Sequence, residues 1–263
     1  MARFCSLFSS SSGNCTYIGT ASHGILIDAG VSAKRITASL SDRDIDPRSI
    51  RAVFVTHEHS DHITGLRVFA SKWGIPVYAT CGTIKGIENA GAYSDKFALN
   101  EMKFSGVEAG DMIVRAFSTP HDSFESCGYT VEMPDSRKIA VATDIGHITN
   151  EIMNSISGCD LVMIESNHDV GMLLNGEYPY YLKKRILSDV GHLCNDKCGE
   201  VVSQLIHSGT TRFFLGHLSE HNNMPELAYQ TSYCALCNEG AVINKDYLLT
   251  VNPKENYEGT VKF

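Results

Sequence analysis

The chain has 263 residues, of which 43% are hydrophobic and 20% charged, with 22 Gly and 7 Pro. That is ordinary globular composition with enough material for a sizeable core, and it excludes a disordered or fibrous chain. Thirty acidic against 22 basic residues leave a formal charge of −8, which argues against a protein that coats nucleic acid or anionic membrane. In chain order, Thr16 to Ile18 and Gly24 to Asp28 read as a strand pair joined by a turn around Ser22-His23. Ala52 to Thr56 is a compact buried strand, and Ile63 to Trp73 has helical spacing stopped by Gly74. Val77 to Ala79, Met112 to Phe117, Cys127 to Glu132, Lys138 to Thr143 and Leu161 to Glu165 follow as strands. Helical patterns return at Tyr180 to Ser188, Asp196 to His207 and Pro225 to Asn238. The strand Arg212 to Leu215 lies between the last two, and Asp246 to Val251 closes the series.

Strands followed by helices, with no internal repeat and no linker, predict one α/β layered domain over residues 1–263. Met1 to Cys15 is Ser-rich without a long apolar run, so it does not read as a signal peptide. No apolar stretch approaches the roughly 18 residues of a membrane span. The nine Cys are irregularly spaced, which fits reduced thiols in a cytoplasmic protein better than a disulfide framework.

The decisive segment is Thr56-His57-Glu58-His59-Ser60-Asp61-His62, directly behind a buried strand. In extended chain His57 and His59 point the same way, and a turn into the next helix swings Asp61 and His62 toward the same cavity. One pair of nitrogens and one oxygen–nitrogen pair then face two neighbouring ions; imidazole and carboxylate suit zinc, manganese or iron. Two ions need further ligands, and His121, Asp144 and His217 stand at the ends of later strands, where α/β folds gather their functional residues. A lone strand-end His is as readily a turn residue; the set is what argues for metal.

With these residues in this order, the chain resembles the metallo-β-lactamase superfamily, and within it the YycJ (WalJ) group of bacterial metallohydrolases. Supporting stretches are Ser11-Ser12-Gly13-Asn14, Ile27-Asp28-Ala29-Gly30, Glu165-Ser166-Asn167-His168-Asp169, Gly191-His192-Leu193 and His217-Leu218-Ser219-Glu220-His221-Asn222-Asn223. The resemblance implies an αββα four-layer sandwich with two divalent ions. It implies that His57, His59 and His121 hold one ion, that Asp61, His62 and His217 hold the other, and that Asp144 bridges. It also implies a nuclease, with exonuclease action on DNA from a 5′ end.

Such a site suits hydrolysis of a phosphodiester by a metal-bridging hydroxide attacking phosphorus in line, with Asp61 and Asp144 orienting it. His192 is the candidate proton donor to the leaving oxygen and Glu165 its orienting partner, as in the tRNA 3′-processing members of the superfamily. His168, His221 and Asn222 are candidate substrate contacts, and His147 lies three residues beyond Asp144. Tyr178 to Arg185 combines three aromatics with Lys183, Lys184 and Arg185, which suits either a nucleic-acid strand or a solvated helix face. Nucleic acid, DNA or RNA, is therefore the expected partner, met at an end or a single strand, with no membrane. The alternative reading in the same fold is a thioester or ester hydrolase of the glyoxalase-II-like type. Cys194-X3-Cys198 and Cys234-X2-Cys237 also offer four thiols, in helical patterns and at a spacing unlike paired zinc knuckles.

Overall fold

The computed structural model describes residues 1–103 and 105–263. They divide into two compact units, one of Met1–Ala116, Ser123–Arg137 and Pro253–Phe263, the other of Phe117–Asp122 and Lys138–Asn252. Among the described residues the strands form two seven-stranded sheets, which bears out the α/β expectation.

The first unit begins with β1 (Arg3–Phe8), β2 (Cys15–Gly19) and β3 (Gly24–Ile27), antiparallel neighbours in chain order. After α1 (Ala33–Ser41) come β4 (Ile50–Phe54), α2 (Ser60–Ile63), α3 (Leu66–Trp73), β5 (Val77–Ala79), α4 (Cys81–Asn89) and β6 (Leu99–Glu101). β3 to β6 pair in parallel, as the helical crossovers between β4, β5 and β6 require. β7 (Val107–Ala109) and β8 (Met112–Ser118) form a hairpin, β9 (Cys127–Glu132) follows, and the terminal strand Val261–Lys262 pairs antiparallel with β1. The core of this unit gathers the apolar faces of α1, α3 and α4 on the sheet, around Leu26, Ile36, Leu66 and Phe69.

In the second unit β10 (Lys138–Ala142), β11 (Leu161–Glu165), β12 (Arg212–Gly216) and β13 (Leu248–Val251) are parallel and adjacent in that order. α5 (Asn150–Ile156) connects the first two strands, α6 (Val170–Asn175), α7 (Tyr180–Ile186) and α8 (Asn195–His207) the next two, and α9 (Pro225–Asn238) the last two. Its core joins Ile152, Val162, Val202, Leu205, Phe213 and Leu236. Among the described residues no helix is long and apolar enough to cross a membrane.

The structure adds one strand that the sequence reading did not contain and corrects two of its bounds. The Ser-rich N-terminus opens with a strand whose residues beyond Arg3 are all buried; with both faces covered it shows no polar alternation to read. The helix expected over Ile63 to Trp73 is two helices parted at Thr64-Gly65. Gly65 N–H donates to Ala29 O at 2.8 Å, and a Cβ at Gly65 would sit 2.0 Å from Val31 O, so this backbone approach needs glycine and bends the chain. Finally, β4 ends at Phe54 rather than at Thr56, with Val55 N–H still donating to Tyr78 O of β5 at 2.9 Å.

Candidate metal centre

In the first unit the segment leaving β4 is pinned by its neighbours before any histidine is placed. Phe54 stacks on Tyr78 (centroids 5.3 Å) and meets Tyr129 edge-on (5.6 Å). Tyr129 Oη donates to Val55 O at 2.6 Å, and Cys127 N–H donates to Thr56 O at 3.1 Å. The carbonyl groups past the end of β4 are thereby satisfied. On the far side, Asn14 N–H donates to Asp61 O (2.8 Å) and Gly30 N–H to Asn14 O (2.8 Å). A Cβ on Gly30 would lie 1.6 Å from Asp61 O, so Asp61 is held where it is by a contact that only glycine permits.

Asp28, just past β3, organises the imidazoles. Its carboxylate accepts from Thr56 N–H (2.8 Å), from Thr56 Oγ1 (3.0 Å) and from His62 Nδ1 (2.8 Å). With the Thr56 hydroxyl proton committed to Asp28, Thr56 Oγ1 is the acceptor for His57 Nδ1 at 3.1 Å. Both rings therefore carry their proton on Nδ1 and present Nε2 as a lone pair, the state a metal ligand requires. Asn14 agrees: its Oδ1 accepts from Ser10 N–H, so its Nδ2 is the donor toward His62 Nε2 at 3.1 Å. His59 Nδ1 lies 3.0 Å from His57 Nε2, and Asp61 Oδ2 lies 3.4 Å from His62 Nε2. Burial pushes the Asp28 carboxyl up from its ordinary range, against the pull of His62 and Thr56. Glu58, between the two histidines, turns elsewhere and accepts from Phe124 N–H at 2.9 Å.

The second unit assembles its cluster at the C-terminal ends of parallel strands, with no contiguous motif. Glu165, the last residue of β11 and fully buried, accepts four hydrogen bonds. His192 Nδ1 (2.8 Å) and His217 Nδ1 (2.9 Å) reach Oε1, while Ile145 N–H (2.8 Å) and Leu193 N–H (3.1 Å) reach Oε2. Burial alone would raise its pKa, but the attraction of His192 and then His217 holds the carboxyl well below the usual range. One carboxylate thus sets two imidazoles, His192 stacked on His217 at 5.3 Å.

His217 Nε2 and His121 Nε2 lie 3.5 and 3.8 Å from Asp144 Oδ1. His121 Nδ1 donates to Gly191 O at 3.0 Å, which again leaves Nε2 as the lone pair. Burial pushes the His121 pKa down, with Asp144 opposing. The ligand atoms of Asp144, Glu165, His192 and His217 all lie within 4.8 Å of one another. Asp28, Asp144 and His217 all have left-handed backbones (φ of 63°, 58° and 55°), half of the six non-glycine residues that do so among those described. Such conformers cost energy and persist where surrounding contacts enforce them, as at functional sites. The Asp144, His121 and His217 donors suit a divalent metal ion.

The substrate candidates fall in more varied places. His168 is buried, its Nδ1 3.3 Å from Asn167 Oδ1, and burial pulls its pKa down to about 4. Asn222 is buried in the loop after β12 and its carbonyl accepts from Asp169 N–H at 2.9 Å, while exposed His221 rests edge-on against Tyr178. Of the three cations, Lys183 Nζ donates to Leu174 O and Gly176 O (2.8 and 2.7 Å), and Arg185 pairs with Asp122 beside His121. Lys184 and both Tyr180 and Tyr181 are exposed. His147 Nδ1 donates to Asp189 O at 2.9 Å. All nine thiols are free; Cys198 is buried, and Cys234 and Cys237 lie on an exposed helix face.

Sequence reasoning assigned no role to Asn14, Asp28, Thr56 or Asn167, which position the histidines. Asn167 Nδ2 donates to His217 O at 2.9 Å, and Asn223 Nδ2 ties the same loop to Ser166 O and Asn167 O, both at 2.9 Å. The available signal was an Asp or Asn just past a buried strand, which needs a partner if it is buried.

Residues 23–218 match the model of the β-lactamase superfamily domain. The chain is 39% identical over 230 residues to exodeoxyribonuclease YycJ of Bacillus anthracis, covering 86% of this chain and 85% of that protein. It is 35% identical over 245 residues to exodeoxyribonuclease WalJ of Streptococcus pneumoniae, covering 92% and 90%. Among solved structures, the metallo-β-lactamase fold protein YhfI of Bacillus subtilis superposes with a TM-score of 0.71 at 12% identity, over 97% of this chain and 98% of that one. The metallo-β-lactamase fold expected from the motif series is thereby borne out. The chain belongs to the β-lactamase superfamily, in the group of YycJ and WalJ, and is a metal-dependent hydrolase.

Proposed function

We propose that residues 1–263 act as one hydrolase domain, a di-metal phosphodiesterase that degrades DNA as an exonuclease from a 5′ end in the cytoplasm. In this reading His57, His59 and His121 hold one divalent ion, Asp61, His62 and His217 hold a second, and Asp144 bridges them. Zinc, manganese and iron are the ions that this donor set takes. When bound, they supply a water of lowered pKa and positive charge to clamp the phosphoryl oxygens.

The observation that carries the reading is the shared carboxylate: Glu165 Oε1 orients a metal-ligand candidate, His217, and a second imidazole, His192, at once. His192 keeps some exposure (18%) while His217 is buried at 1%. A buried carboxylate behind a partly exposed imidazole is the arrangement of a general acid, which delivers a proton to the leaving oxygen as the bond to phosphorus breaks. Asp61 and Asp144 orient the attacking water. His221, Asn222, His168, Lys183, Lys184 and Arg185 are assigned to the approaching strand, met at an end or as a single strand. The names of the two relatives, both exodeoxyribonucleases, support DNA over RNA.

The test combines metal analysis with incubation of the holoenzyme on end-labelled single- and double-stranded DNA and RNA. The expected result is metal-dependent shortening of DNA, absent in Asp61→Ala. Thioester turnover with no nuclease activity would replace this reading by a glyoxalase-II-like one.

A further inference from the structure

Within the second unit, a cavity of about 540 Å³ opens beside His192. That volume falls in the range of small-molecule sites. Ile148, Met153, Leu193 and Val201 supply apolar lining. The formally charged residues that line it are Asp189, Lys197 and Glu200, and Lys197 is engaged by Glu200 at 2.8 Å. Two carboxylates against one paired ammonium do not make a phosphate site; they suit an uncharged, hydrogen-bonding ring system.

His168 also lines the cavity, only 1% exposed. Asn167 Nδ2 donates to His217 O, so Asn167 Oδ1 is the acceptor for His168 Nδ1–H. His168 Nε2 is then a lone pair, and among the described residues it has no hydrogen-bond partner. A buried acceptor without a donor in the chain is costly, and such groups mark strained or functional places or ones completed by water.

We propose that this cavity receives the base and sugar of the nucleotide whose oxygen leaves phosphorus, with the buried His168 imidazole part of its wall. The inference rests on the phosphodiesterase reading for its substrate. A general acid must stand within hydrogen-bond reach of the oxygen it protonates, so the nucleoside carrying that oxygen lies against His192. This cavity is a concave surface that His192 lines.

The experiment compares, on the metal-loaded enzyme, a strand with a normal nucleotide at the released position and one with an abasic tetrahydrofuran there. The abasic strand is expected to raise KM about tenfold, the order expected for losing a group from a fitted pocket, with kcat changing less. Gln204→Trp, on the exposed face of α8 at the cavity, is expected to raise KM for the normal strand to the abasic level. Met153→Trp fills the cavity from α5 and is expected to do the same. Equal KM for the two strands in the wild type, or full discrimination kept in both folded, metal-loaded variants, overturns the proposal. Saturation-transfer NMR with deoxyadenosine reads the cavity independently of turnover. Signal in the wild type that is lost in both variants supports the cavity even if no strand is cleaved, which separates its fate from that of the phosphodiesterase reading. No signal in the wild type overturns it.

Discussion

The two clusters of histidines are built on opposite plans. In the first unit four candidate ligands, His57, His59, Asp61 and His62, come from six consecutive positions, and three residues, Asp28, Thr56 and Asn14, share their support. In the second, every candidate comes from a different loop, and Glu165 alone joins two of them across 27 and 52 residues of chain. A contiguous motif tolerates an imperfect support, because the chain itself keeps its members adjacent. An assembled cluster depends on a single buried group, whose loss leaves several donors without an acceptor.

The contrast is sharpest at His192. His192→Ala is expected to lower phosphodiester turnover by about 10²–10⁴-fold with metal content unchanged, the usual weight of a general acid. Metal analysis beside kcat checks it; unchanged turnover removes His192 from the reaction.

Next in size, Asp28→Asn is expected to weaken metal affinity or activity roughly 10–100-fold, as losses behind a ligating histidine do. Stability should change little by comparison. Competition with a chelator and urea denaturation together test this. If Asp28→Asn unfolds the protein as readily as a change at Glu165, the proposed difference between the clusters disappears.

Glu165→Gln, in turn, is expected to cost about 1–3 kcal/mol of stability, because one oxygen becomes a donor among donors. The pH dependence has a definite sign. The folded carboxyl titrates below the ordinary range, so the unfolded chain takes up the proton first as pH falls below about 4.3. Its stabilising effect is present above that pH and drains away below it. Glu165→Gln should therefore flatten this part of the acid limb in a pH series of denaturation curves.

Thiol alkylation should have the smallest effect. Burial pushes Cys127 and Cys198 up to about 12 and Cys159 to about 11, so they persist as thiols at neutral pH. Peptide mass spectrometry after iodoacetamide should find Cys81, Cys234 and Cys237, the exposed ones, modified first. Activity should survive, since none of the three lies in either cluster.

Much of this was readable from the amino-acid order. His57 to His62 stood out because its members are neighbours in the chain, and His121, Asp144 and His217 because each follows an apolar strand. In the second unit β11 and the helix over Pro225–Asn238 were recovered to both ends, β10 and β12 to within one residue and β13 to within two. By contrast β1 hid in a run with both faces buried, and the break at Gly65 depends on a backbone 34 residues earlier, at Val31.

The sequence by itself determined the donor chemistry and which strands end in candidate ligands, because periodicity and spacing record what is close along the chain, and its motifs carried the family resemblance. Tertiary structure alone decided which proton each imidazole keeps. Glu165 meets His217 because β11 and β12 run parallel with Glu165 opposite Gly216, a register that no local pattern encodes. Asp28 meets His62 in the same way, across the parallel pair β3 and β4. Ligand identity is written in residue type, whereas ligand tautomer is written in the alignment of strands.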